Sequence, residues 1–181
     1  KWQPNVRDHR KILVIDGRMA FTGGVNIVKL YYKDPNKPTS HNGLVKLPLR
    51  DIHIRIDGPA VAEFQKLFLE TWNRQRGEAL PPLQYYPTLE EQGEALIRII
   101  PSKAGRDYRQ TYLMHLAAIH HAEQYVHMMT PYYVPSREFQ DALKDAAGRG
   151  VDVKLLVPAT VDSQTAFHAG RFFYHDLLRA G

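Results

Sequence analysis

His9 and Lys11 stand two residues apart, Asp16 follows five residues later, and Gly23, Gly24 and Asn26 complete the pattern H-x-K-x4-D-x6-G-G-x-N. A chance match of all six positions in a chain of this length is on the order of one in a million at average residue usage. In an extended segment, residues two apart leave the same face, so the His9 ring and the Lys11 ammonium can converge on one group while Arg10 points away. A neutral imidazole has a ring nitrogen free to attack phosphorus, and a fixed ammonium stabilises the phosphoryl oxygens. The Asn26 amide can donate to the same oxygens, and the glycine pair lets backbone approach closely. The chemistry these residue types suit is phosphoryl transfer without metal. Asp16 sits in an Asp-Gly pair at the far end of the run, so its expected task is to fix a tight turn through hydrogen bonds to local backbone.

Other features place bounds on this reading. The chain has 181 residues, no cysteine, 24 Lys and Arg against 19 Asp and Glu, and a formal charge of +5. Thiolate zinc sites and disulfides are excluded, and the basic balance favours phosphates or an anionic membrane surface without choosing between them. Arg7, Arg10, Lys29, Lys33, Lys37 and Lys46 cluster around the motif, either as a headgroup-attracting patch or as solvated charge. His115, His120, His121, His127, His168 and His175 lack metal-ligand spacing: His115 and His120 are five apart, and no H-E-x-x-H occurs. Tyr132 and Tyr133 could line a pocket or pack a turn. Basic and aromatic residues do not interleave in a nucleic-acid motif, so no nucleic-acid partner is expected.

The motif needs elements to hold it. Residues 11–15 and 19–22 read as strands joined by Asp16-Gly17, and Asp34-Pro35-Asn36 with Asn42-Gly43 mark a long polar loop. Residues 52–56 alternate as a strand. A helix follows from Ala60, with Val61, Phe64, Leu67, Phe68 and Trp72 on one face, better suited to a core than to membrane insertion. Residues 77–93, with Pro81-Pro82 and Tyr85-Tyr86-Pro87, suit a linker. Beyond it strands are expected at 96–100, 125–129 and 151–157, and helices at 108–122, 136–147 with Ser136 as N-cap, and 163–180, where Phe167, Phe173, Leu177 and Leu178 are available for burial. This alternation predicts a layered α/β fold. No run reaches the roughly 18–20 apolar residues of a membrane span. The ends read as cut, with no initiating Met and a last helix that leads nowhere.

The H-x-K-x4-D pattern resembles that of the phospholipase D superfamily, and the likeness extends into its bacterial cardiolipin synthase branch. It is carried by 51-DIHIRIDGPAV-61, the helix ending near Trp72, 100-IPS-102, 130-TPYYVP-135 and 150-GVDVKLLVP-158. The resemblance implies a two-lobed enzyme with one such motif per lobe. Residues 1–76 would be the end of the first lobe, 77–93 the linker, and 94–181 the start of the second, stopping before its motif. His9 would be the nucleophile, forming a phosphatidyl-histidine from one phosphatidylglycerol with loss of glycerol and resolved by a second. Asp51, at the opening of the strand after the motif, matches the carboxylate that orients the catalytic His. Gly23, Gly24, Asn26 and Tyr132 would contact substrate.

No second H-x-K-x4-D occurs up to Gly181. The resemblance therefore implies that the general acid lies outside this chain, that the 181 residues alone are inactive and soluble, and that the parent protein sits at the bacterial cell membrane. The alternatives are a lipid-hydrolysing phospholipase D, a nuclease-type phosphodiesterase on the same scaffold, or a non-catalytic half-module.

Overall fold

The computed structural model describes residues 8–28, 39–41, 44–46, 51–102, 109–159 and 163–181. Arg7, Lys29, Lys33, Lys37, the Asp34–Asn36 turn, Asn42-Gly43 and Tyr108 lie outside these residues, as does the side chain of Lys46. The chain divides into two units, Lys1–Ala104 and Gly105–Gly181.

In the first unit the Asp16-Gly17 pair reverses the chain as expected. Both residues have positive φ, +54° and +64°, and Arg18 N–H donates to Ile15 O at 2.9 Å, the geometry of a hairpin turn matched to strand twist. Asp16 serves the turn through its backbone rather than through the carboxylate hydrogen bonds expected of it. The turn joins β1 (Ile12–Ile15) to β2 (Met19–Gly23), and β5 (His53–Asp57) completes an antiparallel sheet of order β1-β2-β5. The registers Val14↔Ala20↔Ile56 and Ile12↔Thr22↔Ile54 put these residues on one face. Helix α1 (Val61–Arg74) lies on that face, where Ala20, Ile56, Val61 and Phe64 form the core with Ile12, Val14, Leu89 and Ile99 packed around it. Leu67 is also buried, while Phe68 and Trp72 stack on each other at the rim, ring centroids 6.0 Å apart.

Two expectations need correction here. The polar loop contains a small hairpin, β3 (Thr39–His41) with β4 (Leu44–Lys46), paired at His41↔Leu44. The Asn42-Gly43 pair between them in sequence is the hairpin signal that a polarity argument passed over. Residues 96–100 form no strand, and Leu96 is fully exposed. A short β-branched, apolar run does not make a strand without a neighbouring backbone to bond, and none among the described residues pairs with this segment. Residues 77–93 have neither helix nor strand. They run against the sheet all the same: a Cβ on buried Gly17 would lie 2.6 Å from Tyr85 O and 2.7 Å from Pro87 Cδ, and Leu89 joins the core.

The second unit is built on the parallel pair β6 (Tyr125–Met129) and β7 (Asp152–Leu156), linked by α3 (Arg137–Gly148). Helix α2 (Gln110–His120) precedes and α4 (Gln164–Ala180) follows. Ser136 and Ser163 cap α3 and α4, their hydroxyls accepting from Phe139 N at 3.2 Å and Ala166 N at 3.3 Å. Leu116, Ile119, Tyr133, Ala142, Leu143, Ala146 and Val151 form the core, with Val126, Met128, Val153, Leu155, Phe173 and Leu177 against it. Leu178 does not join them: it is 82% exposed. Tyr125, His127, Met129, Asp152, Lys154 and Leu156 alternate to the open face of the strands. Among the described residues no helix is long and apolar enough to cross a membrane.

Leu143 is 2% exposed, so Leu143→Ala should cost about 2–5 kcal/mol in a urea unfolding measurement, from lost transfer energy plus the cavity left behind. Leu178→Ala should change stability by less than about 0.5 kcal/mol.

Candidate active site

Which way the motif faces is decided by Arg10. Its guanidinium pairs with both carboxylate oxygens of Asp8, with Nε to Oδ1 at 2.9 Å, and Nη2 donates to Thr71 Oγ1 of α1 at 3.0 Å. Thr71 Oγ1 in turn donates to Leu67 O at 2.9 Å. Arg10, Ile12 and Val14 thus point at the helix, and His9, Lys11, Leu13 and Ile15 leave by the opposite, open face, where Leu13 is 53% exposed. The sequence reading placed His9 and Lys11 within the strand. The structure starts β1 one residue after Lys11, yet the alternation continues back through Asp8. The Asp8–Arg10–Thr71 anchor was missed, because Arg10 looked like the unimportant x of H-x-K.

His9 is exposed, and Lys11 Nζ donates to His9 O at 2.6 Å, which holds the ammonium beside residue 9 and leaves it further donors. The Asp8 carboxyl is held down from 3.8 to about 2, chiefly by the Arg10 side-chain hydrogen bond, against a smaller opposing effect of burial.

The glycine pair builds the floor. Gly23 pairs with His53, and one step beyond the Ile12↔Thr22 pair Lys11 comes beside Gly23, so Lys11, Gly23 and His53 lie in a row across the sheet end. Gly24 N–H donates to Ile52 O at 3.0 Å, keeping β2 and the entry to β5 together past the last paired residues. A Cβ on Gly24 would collide with Asp51 Oδ1, and one on Gly23 would lie 2.8 Å from His53 Nδ1. The missing side chains are therefore what let Asp51 and His53 lean over the central strand. Asp51 also accepts from Ile52 N–H at 2.8 Å. Asn26, exposed, lies two residues past Gly24, where its carbonyl accepts from Val28 N–H at 2.9 Å.

The structure thus brings His9, Lys11, Gly23, Gly24, Asn26 and Asp51 to one end of one sheet. Asp16 stands at the other end of β1, about 16 Å from Lys11 at strand rise, too far to share a ligand with it. His53 was not singled out from the sequence. The signal was the D-x-H spacing, which puts His53 on the face Asp51 opens.

Tyr132 belongs to the second unit. It is 44% exposed, its carbonyl accepts from Thr130 Oγ1 at 2.9 Å, and it borders a narrow crevice with Pro131, Tyr133, Phe167, Gly170 and Tyr174 at the carboxyl ends of β6 and β7. Burial, with Tyr174 beside it, pushes the Tyr133 hydroxyl up to about 12. Tyr133 packs against Phe173 and Tyr174 with ring centroids 6.4 Å away. Among the described residues no three His, Asp or Glu side chains are grouped to hold a metal ion.

Residues 115–181 match the family model described as "Cardiolipin synthase, PLD-like domain". The chain is 36% identical over 182 residues to a cardiolipin synthase of Geobacillus thermodenitrificans, covering 99% of this chain and 34% of that protein. It is 36% identical over 180 residues to cardiolipin synthase 2 of Bacillus anthracis, covering 98% and 33%. With cardiolipin synthase A of Pseudomonas aeruginosa it is 35% identical over 181 residues, covering 100% and 35%. The chain spans about a third of the length of the curated relatives it matches.

The anchor has a pH signature. A carboxyl lowered in the folded state contributes stability that is full above its unfolded value and lost as pH falls through its folded value. Asp8→Asn should therefore lower the unfolding midpoint at pH 7, and the gap to the parent should close between about pH 4 and pH 2. A gap that persists at pH 2 would mean Asp8 acts otherwise.

Proposed function

We propose, from the similarity of this chain to cardiolipin synthases and from the geometry of its sheet end, that the whole protein is a phosphatidyl transferase. The observation that carries this is the open sheet end itself: an exposed imidazole and an ammonium face outward together, beside a carboxylate that leans across a glycine floor. In this reading the phosphodiester of phosphatidylglycerol enters over the glycine pair. A His9 ring nitrogen attacks phosphorus, the bond to the glycerol oxygen breaks, and Lys11 with the Asn26 amide stabilises the phosphoryl oxygens.

The departing glycerol takes a proton from a general acid, which we assign to the second motif of the family, outside these 181 residues. The phosphatidyl-histidine is then attacked by a hydroxyl of a second phosphatidylglycerol, whose proton returns to that acid, and cardiolipin leaves with His9 restored. Asp51 holds the distal ring nitrogen of His9, fixing its tautomer and favouring the phosphorylated ring. Tyr132 lines the substrate crevice of the second unit. The partners are phosphatidylglycerol and an anionic membrane, with the whole protein at the bacterial cell membrane and these residues alone inactive.

In the whole protein with phosphatidylglycerol and no added metal, glycerol release should accompany cardiolipin formation, and His9→Ala should abolish both. Asp51→Asn should lower kcat by on the order of 10²-fold, as expected when an acid–base residue loses its orienting partner. Unchanged turnover in Asp51→Asn would remove that assignment, and His9-dependent release of phosphatidic acid without cardiolipin would make the protein a hydrolase instead.

A further inference from the structure

His53 has no part in the scheme above, yet its place in the sheet is specific. It pairs with Gly23 in β5 and belongs to the exposed face, since Ile54 and Ile56 on either side of Arg55 share the α1 face with Thr22 and Ala20. Its Nδ1 lies where a side chain on Gly23 would project. Lys11 occupies the other side of the same glycine. The outer strands are about 9–10 Å apart, twice the spacing of neighbouring strands, and the central position between them carries no side chain. The His53 ring leans into this space from the β5 side, and what stays open toward Lys11 admits a phosphoryl oxygen at a charge-assisted hydrogen-bond distance of about 2.8 Å from a ring N–H.

Among the described residues, the neighbouring charges have other places. Asp51 lies two residues before His53, at the end where His9 stands, and its carboxylate sits over Gly24 rather than Gly23. Arg55 and Asp57, farther along β5, neutralise each other through Nε to Oδ2 at 2.9 Å. Arg10 is turned to the opposite face. Among the described residues, the side chains that border the space over Gly23 are therefore the His53 imidazole and Lys11, whose ammonium also donates to His9 O.

We infer that His53 is a second phosphodiester-binding residue, which donates a ring N–H to a non-bridging oxygen held between it and Lys11 over Gly23. This deepens the proposed reading of the site and rests on its being a phosphodiester site, but not on catalysis. A binding measurement on this chain therefore tests it directly. The probe is dimethyl phosphate, a diester without acyl chains, titrated into the 181-residue protein and followed by histidine side-chain NMR.

The His53 ring signal, identified by its absence in the variant, should move with the titration. His53→Ala should weaken binding about tenfold, the loss of one hydrogen bond to a charged group. His53→Gln keeps a donor on a side chain of similar reach, so it should recover part of that loss and show that the site is still folded. His127→Ala, in the second unit, should bind as the parent does. Equal affinity of the parent and His53→Ala would overturn the inference, as would an equal loss in His127→Ala or no recovery in His53→Gln. In the whole protein, His53→Ala should raise KM for phosphatidylglycerol with kcat little changed. Absence of any phosphatidyl transfer would end the proposed function while leaving His53-dependent dimethyl phosphate binding intact.

Discussion

The Arg10 guanidinium spans Asp8 and Thr71, and the orientation of the first unit's chemistry follows from that contact. In a segment with a two-residue repeat, one anchored side chain fixes the direction of all its neighbours. Once Arg10 is tied to α1, Ile12 and Val14 are committed to the core, and His9 and Lys11 to the open face. A slip of one residue would bury the imidazole and the ammonium against Phe64 and Val61 and send Ile12 and Val14 into water, at a cost of about 1.5–3 kcal/mol for each apolar side chain exposed. The ion pair is partly buried, with the Arg10 side chain 18% and the Asp8 side chain 40% exposed, and contributes modest stability. Its importance lies in register.

The glycine pair gives that orientation a purpose. An ordinary strand end would fill the space between β1 and β5 with side chains from β2. Here the central strand ends in two residues without them, and the outer strands supply the chemistry from both sides. Asp51 and His53 occupy the vacated volume from one side, and His9 and Lys11 border it from the other. The second unit is organised differently, with a parallel strand pair whose carboxyl ends meet the Tyr132–Tyr133 turn and the start of α4, the usual place for a crevice in such sheets.

Much of this was legible in the residues. Asp16-Gly17 announced its turn, Ser136 announced its helix, and the apolar repeat of α1 found its core, because each signal is local and has one cheap solution. Residues 96–100 carried the right apolar, β-branched composition and still formed no strand, since pairing depends on a neighbour that sequence does not name. Residues 77–93 have the composition of a free tether, but Gly17 lets them pack on the turn, a contact between residues about 70 positions apart. His53 escaped notice for the same reason: its meaning comes from the register Gly23↔His53, which no pattern within either strand reveals.

The central claim is that His9 is the group that attacks phosphorus. Its most direct test is to mix the whole protein with phosphatidylglycerol, quench during turnover under conditions that preserve phosphoramidates, and map the adduct by peptide mass spectrometry. The account predicts a phosphatidyl group on the peptide containing His9, absent in His9→Ala. Cardiolipin formation by a protein whose only adduct lies elsewhere, or which turns over with His9 replaced, would contradict it.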